Sequence, residues 1–223
     1  MSTQEKKEII PQNSQDKLAT SLIKTGIGLI GFSLLLFILI FYPTLQEEFT
    51  YLVNKPSTDV MVSLPSDAPL NGEVMVPVDT DFGIVIPKIG ANARIIENIN
   101  PYNSIEYQVA LTKGVAHAKG SSTPELGGNT FLFAHSSDNF YNANRYNSVF
   151  YLIRKLEIGD EIIIFQNETQ YEYLVTETLL VEPEAIEYLS PESQNPKLTL
   201  MTCWPPGTTL KRLVVIGEIK NTL

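Results

Sequence analysis

Between Gly26 and Tyr42 the chain reads GIGLIGFSLLLFILIFY, an apolar run without a single charge, and Leu22 and Ile23 extend it behind Lys24. A helix rises about 1.5 Å per residue, so the run is close to the shortest that crosses a bilayer core, with Lys24 able to stretch its amine toward the headgroups. A cleaved signal peptide is the alternative. The following YPTLQEEF lacks the small-x-small pattern that a signal peptidase prefers, which favours an uncleaved anchor. Lys6, Lys7, Lys17 and Lys24 precede the span, whereas Glu47 and Glu48 follow it. The positive-inside rule then predicts a cytoplasmic N-terminus and an exported remainder. The expected division is a cytoplasmic tail over residues 1–24, an anchor over 25–43, a spacer over 44–80 and one folded domain over 81–223. The polar head STQEKKEIIPQNSQDK has little to bury and is expected to be disordered.

The net charge is -9, so no basic surface is offered to phosphate backbones and nucleic acid is not an expected partner. Two histidines and one cysteine cannot supply the four ligands of a structural zinc site. Neither a transition metal nor an organic cofactor is expected, while calcium on carboxylates stays open.

Beyond the anchor, repeated Pro, Ser, Asp and Asn interrupt each apolar stretch up to Asp81, which reads as a spacer with one short helix around Thr44 to Val53. This spacer is expected to be a plain tether rather than a lid over a site. Then the pattern changes to short β-type runs: FGIVIPKI, ARIIENI, NTFLFAH, DEIIIFQN, TQYEYLVTETLLVEP, KLTLMTC and KRLVVIGEI. Their length and their Gly, Pro, Asn and Asp boundaries predict a mainly all-β barrel or sandwich. Helical spacing is expected in NSIEYQVAL and in NSVFYLIRKLEIGD, the latter through Val149, Leu152, Ile153 and Leu156.

Three residues stand out for chemistry. His135 ends the NTFLFAH run on the face of Phe131 and Phe133, just before a turn-rich segment. Cys203, the only cysteine, ends LTLMTC on the face of Thr199 and Met201, and Pro205 and Pro206 stop that strand. Arg212 shares an otherwise apolar strand face with Leu210, Val214 and Ile216, where a guanidinium needs an acceptor or a cavity. Singly, each has an ordinary structural explanation: a hydrogen-bonded imidazole, a packed thiol, a salt bridge. Together they are the parts of acyl transfer through a thioester, namely a nucleophile, a proton carrier and a fixed cation for an oxyanion.

Thr199-Leu200-Met201-Thr202-Cys203 resembles the TLxTC signature of sortases, the cysteine transpeptidases that attach proteins to cell walls or link pilin subunits. Arg212 stands where their arginine stands, and GNTFLFAHSS resembles the segment carrying their histidine. FGIVIPKIGANARIIENI, LTKGVAHAKGSSTPELGGN and YEYLVTETLLVEPEAIEYL resemble further segments in order, from about Phe82 to Ile219. Ala134 and Ser136 depart from the glycine and arginine that many members carry around the histidine, so no subclass follows.

The resemblance implies a closed sortase β-barrel with short helices behind one N-terminal transmembrane helix. It implies Cys203 as nucleophile, His135 as general acid and base, and Arg212 as the group that holds substrate or oxyanion. The implied partners are exported proteins with an LPxTG-like sorting motif and an amine of the cell wall or of another protein. Specificity is expected in the loop Glu182 to Lys197. His117 is read as a structural or cleft-rim residue, and Trp204 as packing beside the prolines. Two other readings remain: a non-catalytic binding module with a buried Cys203, and a peptidase in which water is the acceptor.

Overall fold

The computed structural model describes residues 12–53, 61–62, 74–136, 149–193 and 195–222. Two compact units emerge, Met1–Phe49 and Thr50–Leu223. The charge-free run lies within one helix, α1 (Gln12–Val53). Its Asp16–Leu39 stretch is long and apolar enough to cross a membrane. Large apolar side chains stand exposed on every side of it, as expected of a helix that meets lipid rather than a protein core.

The helix is longer than the sequence led us to expect. Gln12 to Lys17, read as disordered, form its first turns, and the separate helix expected around Thr44–Val53 is its C-terminal end. Pro43 removes one amide donor, and the helix runs on past it to Val53. The first residues of the polar head lie outside the described residues.

The second unit is a closed eight-stranded barrel preceded by a short two-stranded sheet. That sheet pairs β1 (Met61–Val62) with β2 (Val74–Met75) in parallel. The barrel strands are β3 (Phe82–Ile86), β4 (Ala91–Ile99), β5 (Val115–Ala118), β6 (Asn129–Phe133), β7 (Glu161–Gln166), β8 (Thr169–Val181), β9 (Lys197–Trp204) and β10 (Lys211–Thr222). Around the barrel the order is β10-β8-β7-β3-β4-β5-β6-β9, and β9 closes the ring against β10. The mainly β, closed-barrel expectation therefore holds.

Alternation along the strands sends one set of side chains inward: Ile84 and Ile86, Ile162 and Ile164, Leu198 and Leu200, Leu213 and Val215, all buried in one core. Two neighbouring pairs are parallel, β4–β5 and β6–β9, and parallel strands need a long crossover. For β4–β5 that crossover is α2 (Ser104–Leu111). Asn103 caps it: Asn103 Oδ1 accepts from the Glu106 amide at 3.3 Å, and Glu106 Oε1 accepts from the Asn100 amide at 3.0 Å.

The second expected helix is a correction. Described residues from Val149 onward give only a 3₁₀ turn at Ile153–Lys155. Phe150, Tyr151, Ile153 and Leu156 are buried, and the spacing of three from Phe150 to Ile153 to Leu156 suits 3₁₀ geometry better than the α-helical face expected.

The spacer is not a free tether along its described length. Val85, Ile163 and Phe165 point outward from β3 and β7 and form a second apolar cluster, which Val62 and Met75 cover. Asn92 on β4 fastens the strap. Its Nδ2 donates to the Val76 carbonyl at 2.6 Å, and its Oδ1 accepts from the Val78 amide at 2.8 Å. Asp79 then turns the chain into β3, its Oδ1 accepting from the amides of Asp81 and Phe82. A Cβ at Gly83 would stand 2.0 Å from the Asp79 carbonyl oxygen, so only glycine admits this approach. In the ring, β3 and β7 are four strands away from β9 and β6 respectively. The strap thus lies on the wall opposite the β6–β9 pair.

Candidate active site

At the C-terminal ends of β6 and β9 the barrel wall opens into a cleft of about 400 Å³, whose lining includes His135, Cys203 and Arg212. Strand register explains why. Cys203 on β9 faces Arg212 on β10 directly across the antiparallel ladder. Residues so paired carry their Cβ atoms roughly 4.5–5.5 Å apart on the same face. That face continues through Met201 and Thr199, away from the interior residues Leu198 and Leu200.

His135 comes from the other neighbour of β9. Phe133 pairs with Met201 in the parallel β6–β9 ladder, and continuing that register by two residues sets His135 level with Cys203. The extension is tied down although the strand proper has ended. The Ala134 amide donates to the Met201 carbonyl at 3.2 Å, and Thr202 Oγ1 donates to the Ala134 carbonyl at 2.8 Å. The residue before the imidazole is thereby bonded to the two residues before the thiol.

Cys203, His135 and Arg212 are all half-buried, accessible from the cleft yet partly shielded. Arg212 Nη1 donates to the carbonyls of Thr209 and Lys211, each at 3.1 Å. Among the described residues no carboxylate lies within ion-pair distance of it, so the salt-bridge alternative is not what holds this side chain. A guanidinium carries five N–H donors, and backbone carbonyls on one nitrogen leave the rest of the fork for other acceptors.

The other expectations fall at different places. His117 on β5 is buried away from the cleft. Its Nδ1 accepts from the Asn98 amide at 3.4 Å, which makes Nε2 the protonated nitrogen, donating to the Ser122 carbonyl at 3.0 Å. Burial holds its pKa below the ordinary 6.5. Trp204 packs against the core. The loop Glu182 to Lys197 starts from Val181, which pairs with Arg212, but none of its described residues lines the cleft. Asn129 Nδ2 fastens its middle by donating to the carbonyls of Tyr188 and Ser190. The described Glu182, Glu184, Glu187 and Glu192 do not converge, and no group of three or more His, Cys, Asp or Glu able to hold a metal occurs among the described residues. The turn-rich segment after His135 lies outside the described residues from Ser137 to Ser148.

Sequence reasoning missed one wall. Tyr107, Gln108 and Leu111 of α2 and Thr112, which caps its end, line the cleft, as do Thr208 and Thr209 of the β9–β10 turn. The available signal was the helix itself: burying Ala110 and Leu111 leaves Gln108 and Thr112 facing outward.

The sortase domain profile matches residues 84–220, more than half of the chain. The chain belongs to the sortase family. Among the relatives of this sortase, Sortase A of Listeria monocytogenes is 27% identical over 163 residues, 72% of this chain and 67% of that protein. Sortase A of Bacillus anthracis is 33% identical over 139 residues, 62% of this chain and 59% of that protein. In three dimensions the sortase barrel is similar to sortase C1 of GBS Pilus Island 1, with a TM-score of 0.54 and 24% identity over 64% of each chain. The aligned part is thus somewhat under two thirds of that structure, and the likeness bears on the fold.

Proposed function

We propose that this sortase is a membrane-anchored cysteine transpeptidase, with α1 as a single-pass anchor, the N-terminus cytoplasmic and the barrel outside. Its substrates are exported proteins bearing an LPxTG-like motif, and its acceptor is an amine of the cell wall or of another protein. The single observation that carries the reading is the pairing of Cys203 with Arg212 across two strands, with His135 on the same cleft.

In this reading the Cys203 thiolate attacks the carbonyl of the scissile peptide bond. Arg212 donates hydrogen bonds to the resulting oxyanion, which is worth about 10²–10³ in rate where one such donor is removed from other enzymes. His135 gives its proton to the departing amine as the C–N bond breaks, leaving a thioester on Cys203. The acceptor amine then attacks the thioester, the neutral imidazole takes its proton, and the C–S bond breaks to return the thiolate. The active protonation state pairs a thiolate with an imidazolium. Where the thiol's pKa exceeds the imidazole's, that state is a minority at every pH and the rate profile is a bell.

The test is intact mass spectrometry of the full chain in detergent with LPxTG-type peptides, with and without triglycine. The expected result is a peptide adduct on Cys203 that disappears with triglycine and yields ligated peptide, and no adduct on Cys203→Ala. Release to water alone would make the enzyme a peptidase. An unmodified thiol, also inert to alkylation, would favour the binding module.

A further inference from the structure

The outer side of α2 and the turn before it carry three large apolar side chains that stand exposed among the described residues: Tyr102 is 75% exposed, Ile105 80% and Val109 53%. Ile105 and Val109 are one helical turn apart, so they sit one above the other on the same face. The strip adjoins the cleft wall. Pro101, Gln108 and Thr112, interleaved with these three in sequence, line the cleft where His135 and Cys203 stand.

We propose that this strip is an extension of the binding site, which takes apolar or aromatic residues flanking the recognised motif of the polypeptide substrate. The inference rests on the transpeptidase reading, because it needs the cleft to hold the motif. Size and position select this occupant. Three side chains cover far less than the roughly 800 Å² that each partner contributes to a stable protein–protein interface, so a second copy of the chain is too large a ligand for the strip. A polypeptide already held in the adjoining cleft is a different case. Its flanking residues meet the strip as an intramolecular event, at an effective concentration of about millimolar, and a small apolar contact then counts in full. Gln108 and Thr112 at the rim add hydrogen-bonding groups for an extended backbone passing from cleft to strip.

The experiment compares two peptides on the full chain in detergent micelles. One carries the LPxTG-type motif with capped ends, and the other carries it between flanks of four residues that include Phe and Leu. The variant is Ile105→Gln with Val109→Gln, a pair that keeps good helix propensity on exposed positions. The wild-type chain is expected to use the flanked peptide with the higher kcat/KM. In the variant the flanked-to-capped ratio should fall by about fivefold or more, the scale of burying one or two aliphatic side chains. Replacing Phe and Leu in the flanks by Ser should lower the wild-type ratio and leave the variant's ratio unmoved. An unchanged ratio in the variant, with both proteins acylated by the capped peptide, overturns the strip as a substrate surface. So does a drop that is the same for flanks with Ser. Failure of the wild-type chain to form any acyl-enzyme with either peptide would instead refute the transpeptidase reading. An unaltered thermal midpoint of the variant shows that α2 is intact.

Discussion

The two opposite walls of the barrel are built from similar strands and finished differently. On the β3–β7 wall the outward residues Val85, Ile163 and Phe165 are apolar, and the strap of Val62 and Met75 seals them. On the β6–β9–β10 wall the outward residues end in a thiol, an imidazole and a guanidinium, and a cleft is left open over them. Beside the sealed wall, Asn92 on β4 satisfies the backbone of the strap at Val76 and Val78. The open wall keeps donors in reserve: Arg212 uses one nitrogen on backbone carbonyls. Packing and the candidate site thereby fall on different sides of one ring.

The largest predicted effect breaks the sealed wall. Phe165 is fully buried beneath the strap, and Phe165→Ala should cost about 3–5 kcal/mol of stability. Urea unfolding measures it, and turnover per folded molecule should stay near that of the wild type. A proportionate loss of turnover would mean that the two walls are not independent.

The next breaks the open wall. Arg212→Lys keeps the charge but loses the planar fork, and we expect kcat to fall about a hundredfold, roughly 2.7 kcal/mol, with the unfolding midpoint little changed. Single-turnover acylation of Cys203 is the measurement. Wild-type rates in the lysine variant would remove Arg212 from the oxyanion's surroundings.

The smallest sharpens the comparison from between the walls. His117 is neutral in the fold, and burial holds its pKa below 6.5. As pH falls below 6.5 the unfolded chain takes up the proton before the folded one, so stability should decline from there down to the folded pKa and level off below it. The chain has two histidines, so two imidazole resonances followed by NMR, alongside unfolding midpoints between pH 7.5 and 5, separate His117 from His135. An imidazole of His117 titrating at or above 6.5 would contradict this.

Legibility in the sequence followed the same division. Cys203, Arg212 and His135 were readable because each closes or enters a strand in a locally patterned segment, and strand register carries the rest of the geometry. The barrel was readable because seven of its strands have apolar alternation with turn residues at their ends. β5 was not, since Val-Ala-His-Ala has neither the β-branched content nor the length to stand out. The strap was hidden for a different reason. Strands of two residues leave no period to detect, and what fixes them is one asparagine on β4 and one glycine on β3, whose roles exist only after the chain has folded. The α2 wall was half visible: the helix was expected, but which of its faces meets the cleft depends on β4 and β5 beneath it.

The strap's place on the ring has a mechanical meaning. The strap packs on β3 and β7 and leads directly into β3, while a polypeptide held on Cys203, in the proposed reading, would pull on β9. From β9 to β3 is four strands by either route, so tension between the two would divide between both halves of the ring and load hydrogen-bonded strand pairs. The imidazole just past β6 and the thiol on β9 stand together at one pole of that circuit, opposite the strap.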